Sequence, residues 1–180
     1  MKHSQIQKML ALAAMVVGGL AVVSGFFWLV YNPKPEEGYT DMQKAQEINC
    51  VNNMKQIGLC FRMWAGDNGD KNPFNVSTNQ GGSMELCAVG KDGFDRNAWQ
   101  HLLCMSNELS TPRVLACPKD PEHKYADGWA HLGATNVSYL VRSGTNIDET
   151  NPTNILAVCP VDGNTLYCDG HVVEGKHKYF

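Results

Sequence analysis

A run of 23 residues without a charged side chain, residues 9–31, constrains the fold of this chain more than any other feature. A helix rises about 1.5 Å per residue, so this run would be roughly 34 Å long. That length is sufficient to cross a bilayer core of about 30 Å. Trp28 and Tyr31, near its end, suit the aromatic belt of a membrane interface. We therefore predict that residues 9–31 form a transmembrane anchor.

A cleaved signal peptide is the alternative interpretation of the same run, with cleavage after Ser24 or Gly25. The apolar part of a secretory signal usually has about 7–15 residues and ends at a small-residue site. Here the run is longer, and bulky side chains follow Gly25 directly. The sequence therefore favours an uncleaved anchor, whereas cleavage would release a secreted binding module.

The charges around the run predict its orientation. Lys2 and Lys8 precede it, whereas the first charged residues after it are of mixed sign. The positive-inside rule then places residues 1–8 in the cytoplasm and residues 42–180 outside it. The chain after Lys8 holds 13 of the 15 Lys and Arg residues and all 18 Asp and Glu residues. This acidic balance argues against nucleic-acid binding, which needs a basic surface.

The segment after the anchor predicts a linker and then an amphipathic helix. Residues 32–41 contain two prolines and a glycine, and proline cannot continue a helix. Apolar residues then recur at the three- and four-residue spacings of one helix face up to about Ala65. These residues are Met42, Ala45, Ile48, Val51, Met54, Ile57, Phe61 and Trp64.

The remainder of the chain predicts a small antiparallel sheet among loops. We expect a loop over 71–95, a short helix over 96–110, and strands over 113–118 and 135–143. Residues 154–175 predict a β-hairpin with Asp162-Gly163 as its two-residue turn, followed by a turn at Asp169-Gly170 and a last strand. The predicted fold is α+β and loop-rich, with the amphipathic helix packed on one face of the sheet.

Seven cysteines in an extracytoplasmic domain suggest disulfides, and their odd number leaves at least one thiol over. None of them has C-x-x-C spacing, so zinc ribbons and thioredoxin-type motifs have no local support. With Asp162-Gly163 as the turn, Cys159 faces Leu166 and is only diagonal to Cys168. That diagonal spacing of about 7–8 Å disfavours a bridge between the two.

Four motifs follow one another in the order NCVNNMKQIGLCFRMWAGDNGD, ACPKDPE, SYLV and GNTLYCDGHVVEG. In this order they resemble the pseudopilin-like proteins of bacterial type II secretion and type IV pilus systems. The similarity is greatest to the branch with a terminal Asp-Gly-His hairpin that is abundant in planctomycetes and verrucomicrobia. The resemblance covers about residues 42–175. It implies a pilin-like fold, a structural or assembly role without catalysis, and other pseudopilins or secretion components as partners.

The resemblance also implies a role for two cysteines, because the family pattern keeps a cysteine at the positions of Cys50 and Cys117. A Cys50–Cys117 disulfide is therefore our hypothesis, and such a bridge typically contributes about 2–4 kcal/mol. Two buried free thiols are the alternative, since free cysteine packs as a small apolar side chain.

This chain departs from the pilin pattern at its N-terminus. A pilin precursor carries a peptidase site ahead of its apolar run, with a glycine and then a glutamate five positions into the mature chain. Residues 1–15 contain neither Gly nor Glu. We therefore expect a pseudopilin-like domain on an ordinary membrane anchor, without processing by prepilin peptidase.

No residue is predicted to be catalytic, to bind a cofactor or to ligate a metal. A thiol- or metal-dependent enzyme is the alternative function, with a cysteine paired to one of four histidines: His101, His123, His131 or His171. Residues 67–72 resemble half of a calcium loop, and Asp169 with His171 resembles a pair of metal ligands. Turn chemistry accounts for both segments, and we predict turns there.

Overall fold

The computed structural model describes residues 40–175 together with Trp28, which is helical and exposed. The predicted cytoplasmic segment 1–8, the rest of the anchor 9–31 and nearly all of the linker 32–41 lie outside the described residues. Within the described part of the chain, no helix combines the length and apolarity needed to cross a bilayer.

A four-stranded antiparallel sheet confirms the predicted α+β class. Each strand pairs with the one before it in the chain, so the sheet is a meander. The strands are β1 (Leu140–Val141), β2 (Ile155–Val158), β3 (Thr165–Tyr167) and β4 (Val172–Val173). The predicted turn at Asp169-Gly170 connects β3 to β4, and Gly170 adopts the left-handed φ of 86° that favours glycine.

The predicted register of the β2–β3 hairpin is wrong. Ala157, rather than Cys159, lies opposite Leu166. The backbone N–H of Cys159 instead donates to the carbonyl oxygen of Asn164 at 2.8 Å. The ladder is therefore shifted by two residues along β2.

The predicted two-residue turn at Asp162-Gly163 is also wrong, because residues 160–163 all lie in the loop between the strands. Pro160 has no N–H to donate, so it cannot continue the ladder and the loop begins there. The loop closes through the N–H of Gly163, which donates to the carbonyl of Cys159 at 2.9 Å. The longer loop places Asp162 beside Cys159.

The amphipathic helix is α1 (Asp41–Asp67), and it extends two residues beyond the predicted end. It stops at Gly69 and Asp70, which both have a left-handed φ. The buried face begins only at Cys50, because the sheet and loops do not cover the first turns. The prediction that Ile48 helps to hold the helix on the sheet is wrong, since this side chain is 60% exposed. Met42 and Ala45 are exposed as well.

Gly58 lets α1 approach the sheet closely. A Cβ atom at this position would lie 2.8 Å from Cδ1 of Leu166 in β3 and 3.4 Å from Cα of Gly170. The helix-to-sheet distance therefore depends on the absence of a side chain at Gly58. Elsewhere on α1, Asn53 donates its side-chain amide to the carbonyl of Ala116 at 3.3 Å, so this asparagine bonds to loop backbone.

The second helix, α2 (Ala98–Cys104), is shorter than predicted. The predicted strand over 113–118 is wrong, because the chain there forms a 3-10 helix, Pro112–Leu115. Pro112 fixes the φ of its first turn, and the Thr111 hydroxyl accepts from the N–H of Arg113 at 3.4 Å. Within the predicted strand 135–143, only Leu140–Val141 forms a strand. Residues 71–95 form the expected loop around three short 3-10 turns.

Candidate metal centre

Four side chains with metal-binding atoms converge where α1 meets the end of the sheet. Cys50 lies on the buried face of α1, and Cys117 follows the 3-10 helix Pro112–Leu115. Cys159 directly follows β2, and Asp162 lies in the loop that leads to β3. The three sulfur atoms and a carboxylate oxygen of Asp162 all lie within 4.8 Å of one another. We call these four residues the cysteine cluster.

The cysteine cluster is shielded from solvent. The three cysteines are at most 2% exposed. The Asp162 side chain is 4% exposed. Its Oδ2 atom lies 3.5 Å from Sγ of Cys117, so the carboxylate faces the sulfur atoms directly. Oδ1 of the same carboxylate contacts Nζ of Lys119.

Two turns with the same sequence pattern, Cys-Pro-x-Asp, hold Cys117 and Cys159. In the second turn the backbone N–H of Asp162 points at Sγ of Cys159 at 3.5 Å. In the first, the backbone N–H of Asp120 donates to the carbonyl oxygen of Cys117 at 3.0 Å, and the backbone N–H of Lys119 acts to lower the pKa of the Cys117 thiol. N–H donors aimed at a sulfur atom fix its position and stabilise the thiolate form.

Two polar side chains contact the sulfur of Cys50, which lies on α1. The side-chain amide of Asn164 donates to its sulfur at 3.4 Å. The hydroxyl of Tyr139 donates to the same sulfur at 3.8 Å. All three residues are buried, so these donors have no solvent to bond to instead. The two contacts present positive hydrogen atoms to Cys50 from the side of the sheet.

Hydrogen bonds between the thiols, burial and mutual charge repulsion have a net effect that disfavours ionisation of all three cysteines. The pKa of Cys50, of Cys117 and of Cys159 is raised to about 12 in each case. At Cys50 the hydrogen bond with Cys117 lowers the pKa, but the bond with Cys159, burial and the charge of Cys159 together raise it by more. At neutral pH without a cation the cluster therefore holds protonated thiols, which are poor nucleophiles.

Lys119 links the cysteine cluster to α1 by charge. Its Nζ atom lies 2.6 Å from Oδ1 of Asp162 and 3.0 Å from Oε1 of Glu47 on α1. Burial opposes its charge, but the two carboxylates outweigh that effect and raise the pKa of Lys119. The lysine therefore holds the Asp162 carboxylate in place and supplies a positive charge next to it.

The structure brings Cys50 and Cys117 together, as the disulfide hypothesis requires, and both are free thiols in it. The hypothesis itself stays a prediction. Cys159 and Cys168 lie at opposite ends of the β2–β3 ladder, because Cys159 pairs with Asn164 whereas the N–H of Cys168 donates to the carbonyl of Asn154.

The described residues contain a second group of candidate metal ligands, and His101 is the only histidine that shares such a group with a cysteine. Metal-ligand atoms of Cys87, Asp95 and His101 lie within 4.8 Å of one another. Nδ1 of His101 is 2.8 Å from the Ser83 hydroxyl, and its Nε2 lies 3.1 Å from Oδ2 of Asp95 without hydrogen-bond alignment. The hydroxyl of Ser143 also bonds to Asp95.

Protein donors already occupy the carboxylate of this second group. Oδ1 of Asp95 accepts the backbone N–H groups of Ala88 and Asn97, at 3.0 Å and 2.8 Å. Burial raises the pKa of Cys87, and the charge of Asp95 adds to that effect. The Asp95 carboxylate is therefore held by protein donors, and the raised pKa of Cys87 is not that of an activated thiol.

The other predicted site residues form local turns. His123 pairs with Asp120 and His131 with Asp127, each three or four residues away in the chain. His171 pairs with Asp169 and stacks on Tyr167, with the ring centroids 4.4 Å apart. Residues 67–72 end α1 as a turn. These segments match the turn interpretation of the sequence.

Comparisons with known proteins do not supply a relative of this chain. No protein-family model, no curated protein and no solved structure gives a significant match. The resemblance to pseudopilin-like proteins accordingly stays a prediction from the sequence motifs. The function has to be inferred from the residues of the chain and their geometry.

Proposed function

We propose that the protein is a non-enzymatic, single-pass membrane protein of the bacterial envelope with a pseudopilin-like extracytoplasmic domain. The uncharged run 9–31 would anchor it in the inner membrane, and residues 42–180 would form the exported domain. Its role would be structural, in an assembly related to type II secretion or type IV pili.

The observation that carries this proposal is the packing of one long helix on a small antiparallel sheet. The 27-residue helix α1 precedes all the strands in the chain, and its buried face contacts β3 and β4. An N-terminal helix packed on a C-terminal meander is the arrangement that the resemblance implies. Only residues 32–40 separate the uncharged run from the first residue of α1, Asp41.

The state of the thiols supports a structural role over a thiol enzyme. Catalytic cysteines need a lowered pKa and access for a substrate. Cys87, which adjoins His101, has a raised pKa instead. The cysteines of the cluster are buried, and the pKa of each is raised to about 12.

The outer side of α1 supports association with another chain of the same kind. Ile48, Leu59 and Met63 are 60%, 56% and 49% exposed. At about 100° per residue they fall within one sector of roughly 60°, on the side opposite the buried face. The exposed Asn52 lies in the same sector, so three separate apolar side chains, rather than a continuous stripe, would pack against α1 of a second copy.

Cell fractionation and sequencing of the mature N-terminus test the proposal on the full chain. We expect the protein in the inner-membrane fraction, extractable only with detergent, with a domain open to protease in spheroplasts and an N-terminus that precedes residue 9. A chain that lacks residues 9–31 is the control, and it should remain in the cytoplasm. Full-length protein in the soluble cytoplasm would refute the proposal, and an N-terminus at Gly25 or Phe26 would replace it with a secreted module.

A further inference from the structure

We propose that Cys50, Cys117, Cys159 and Asp162 bind one zinc ion in a closed structural site. This inference is independent of the membrane anchor, because it rests only on the described residues of the folded domain. The ion would tie three segments together at one point, namely α1, the turn that follows Pro112–Leu115, and the β2–β3 loop.

The spacing of the four ligand atoms fits a single tetrahedral ion. Zinc binds thiolate sulfur at about 2.3 Å and carboxylate oxygen at about 2.0–2.2 Å, so a sulfur and an oxygen on the same ion lie about 3.5 Å apart. Sγ of Cys117 and Oδ2 of Asp162 are 3.5 Å apart. The remaining separations, all within 4.8 Å, need only small rotations of side chains to match.

The chemistry of the ligand set selects the metal class. Three thiolates favour zinc and other thiophilic ions, whereas calcium and magnesium require oxygen ligands. Four protein ligands complete a tetrahedron and leave no open position for water or substrate. The burial of all four side chains agrees with a closed site, so the ion would stabilise the fold and take no part in a reaction.

The surroundings supply what an outer shell of such a site needs. Three thiolates and one carboxylate carry four negative charges, of which zinc neutralises two. Lys119 lies 2.6 Å from Asp162, and Asn164 donates to the sulfur of Cys50. The N–H of Asp162 reaches the sulfur of Cys159. Donors of this kind orient the ligands and delocalise the remaining charge.

Zinc binding would replace the three thiol protons of the cysteine cluster. On binding, each thiol forms a sulfur–zinc bond and its proton passes to solvent, so one zinc ion releases three protons. No oxidant or reductant takes part. A Cys50–Cys117 disulfide would remove two of the four ligands, so the zinc site and the disulfide exclude each other.

The test is metal analysis of the full-length protein, purified in detergent without reducing agent, together with three variants. We expect one zinc ion per chain in the wild type and loss of zinc in Cys159→Ser. Asp162→Cys should keep the ion, because a fourth thiolate replaces the carboxylate. Cys104→Ser is the control, because its partly buried sulfur bonds to the carbonyl of Gly82 outside the cysteine cluster. This control should also keep the ion.

Cobalt spectroscopy of the wild type tests the proposal even if a variant does not fold, because the spectrum reports the ligands of the ion directly. The wild type loaded with Co²⁺ should show sulfur-to-cobalt charge transfer and intense visible bands of a tetrahedral ion. Asp162→Cys should show stronger charge transfer, since it has one more sulfur ligand. Two results would overturn the proposal. One is a wild type that holds neither zinc nor cobalt, and the other is a peptide map with a disulfide between any two of the three cysteines.

Discussion

Sγ of Cys117 lies 3.5 Å from Oδ2 of Asp162, although 45 positions separate the two residues in the chain. Cys50 approaches the same point from α1, and Cys159 approaches it from the end of β2. The contact therefore marks the place where the helical and β parts of the domain meet. An ion bound there would connect segments that are distant in sequence, and its removal should be felt by the whole domain.

Removal of the metal should lower the stability of the domain. If the concentration of free zinc exceeds the dissociation constant of the zinc complex about 1,000-fold, zinc binding adds about 4 kcal/mol to the free energy of unfolding. For a chain of this size that corresponds to a fall of about 10 °C in the thermal midpoint. We expect this fall when a strong chelator is added and recovery when excess zinc is restored, as measured by circular dichroism. The midpoint of Cys50→Ser should not respond to chelator, whereas an unchanged wild-type midpoint would contradict the expectation.

Replacement of Lys119 should weaken the site without abolishing it. Lys119→Met removes the positive charge that pairs with both Asp162 and Glu47. Loss of such an outer-shell partner typically lowers metal affinity about 10–100-fold. Competition with a chromophoric chelator would measure this change. Arg96→Met is the matched control, because it breaks an exposed ion pair with Asp92 that should contribute less than about 1 kcal/mol. Equal zinc affinities in the two variants would show that Lys119 plays no part.

The buried histidine should make the domain sensitive to acid. Burial lowers the pKa of His101 in the folded state, although Asp95 opposes the effect. Below about pH 6.5 the unfolded chain then binds a proton more readily than the folded chain. The stability that the neutral ring contributes is present above that pH and is lost as the pH falls through the folded-state pKa.

Denaturant titrations between pH 7 and pH 5 would measure this effect. The free energy of unfolding of the wild type should fall relative to that of His101→Gln by at most about 1.4 kcal/mol per pH unit. His131→Gln, at an exposed position, is the control for a general histidine effect. Parallel curves for the wild type and His101→Gln would contradict the assignment.

The exposed apolar side chains Ile48, Leu59 and Met63 of α1 should govern self-association. Leu59→Glu combined with Met63→Glu places two charges on the proposed contact and should reduce dimer in detergent, as measured by analytical ultracentrifugation. Gln56→Glu is the control, because it adds a charge to the same exposed side without removing an apolar group. A wild type that is monomeric at all concentrations would exclude a second copy as the occupant of this surface.

The sequence predicts the long helix of the fold, whereas it does not predict the short elements. Apolar residues from Val51 to Trp64 are enough to specify α1, because a stripe sustained over several turns matches the period of a helix and not that of a strand. The segment 113–118 is too short for its pattern to separate a strand from a 3-10 helix, and Pro112 decides the outcome. The register of β2 and β3 depends on Pro160 more than on the Asp162-Gly163 pair.

The sequence linked Cys50 to Cys117 only through the resemblance, and it missed Cys159 and Asp162 because the members of the cysteine cluster come from distant places in the chain. Cys50, Cys117 and Cys159 have no close spacing, and a search for C-x-x-C finds none of them. The repeated Cys-Pro-x-Asp turns at Cys117 and Cys159 are the local signal that could have indicated the site. Their meeting with Cys50 depends on how α1 packs against the sheet, which only the three-dimensional structure shows.

X-ray absorption at the zinc edge tests the central claim most directly. In the full-length protein we expect one shell of three sulfur atoms at about 2.3 Å and a single oxygen at about 2.0–2.2 Å from the ion. In Asp162→Cys the oxygen should be replaced by a fourth sulfur. A metal shell made only of oxygen and nitrogen, or a protein without bound zinc whose Cys50 and Cys117 are joined in a disulfide, would contradict the claim.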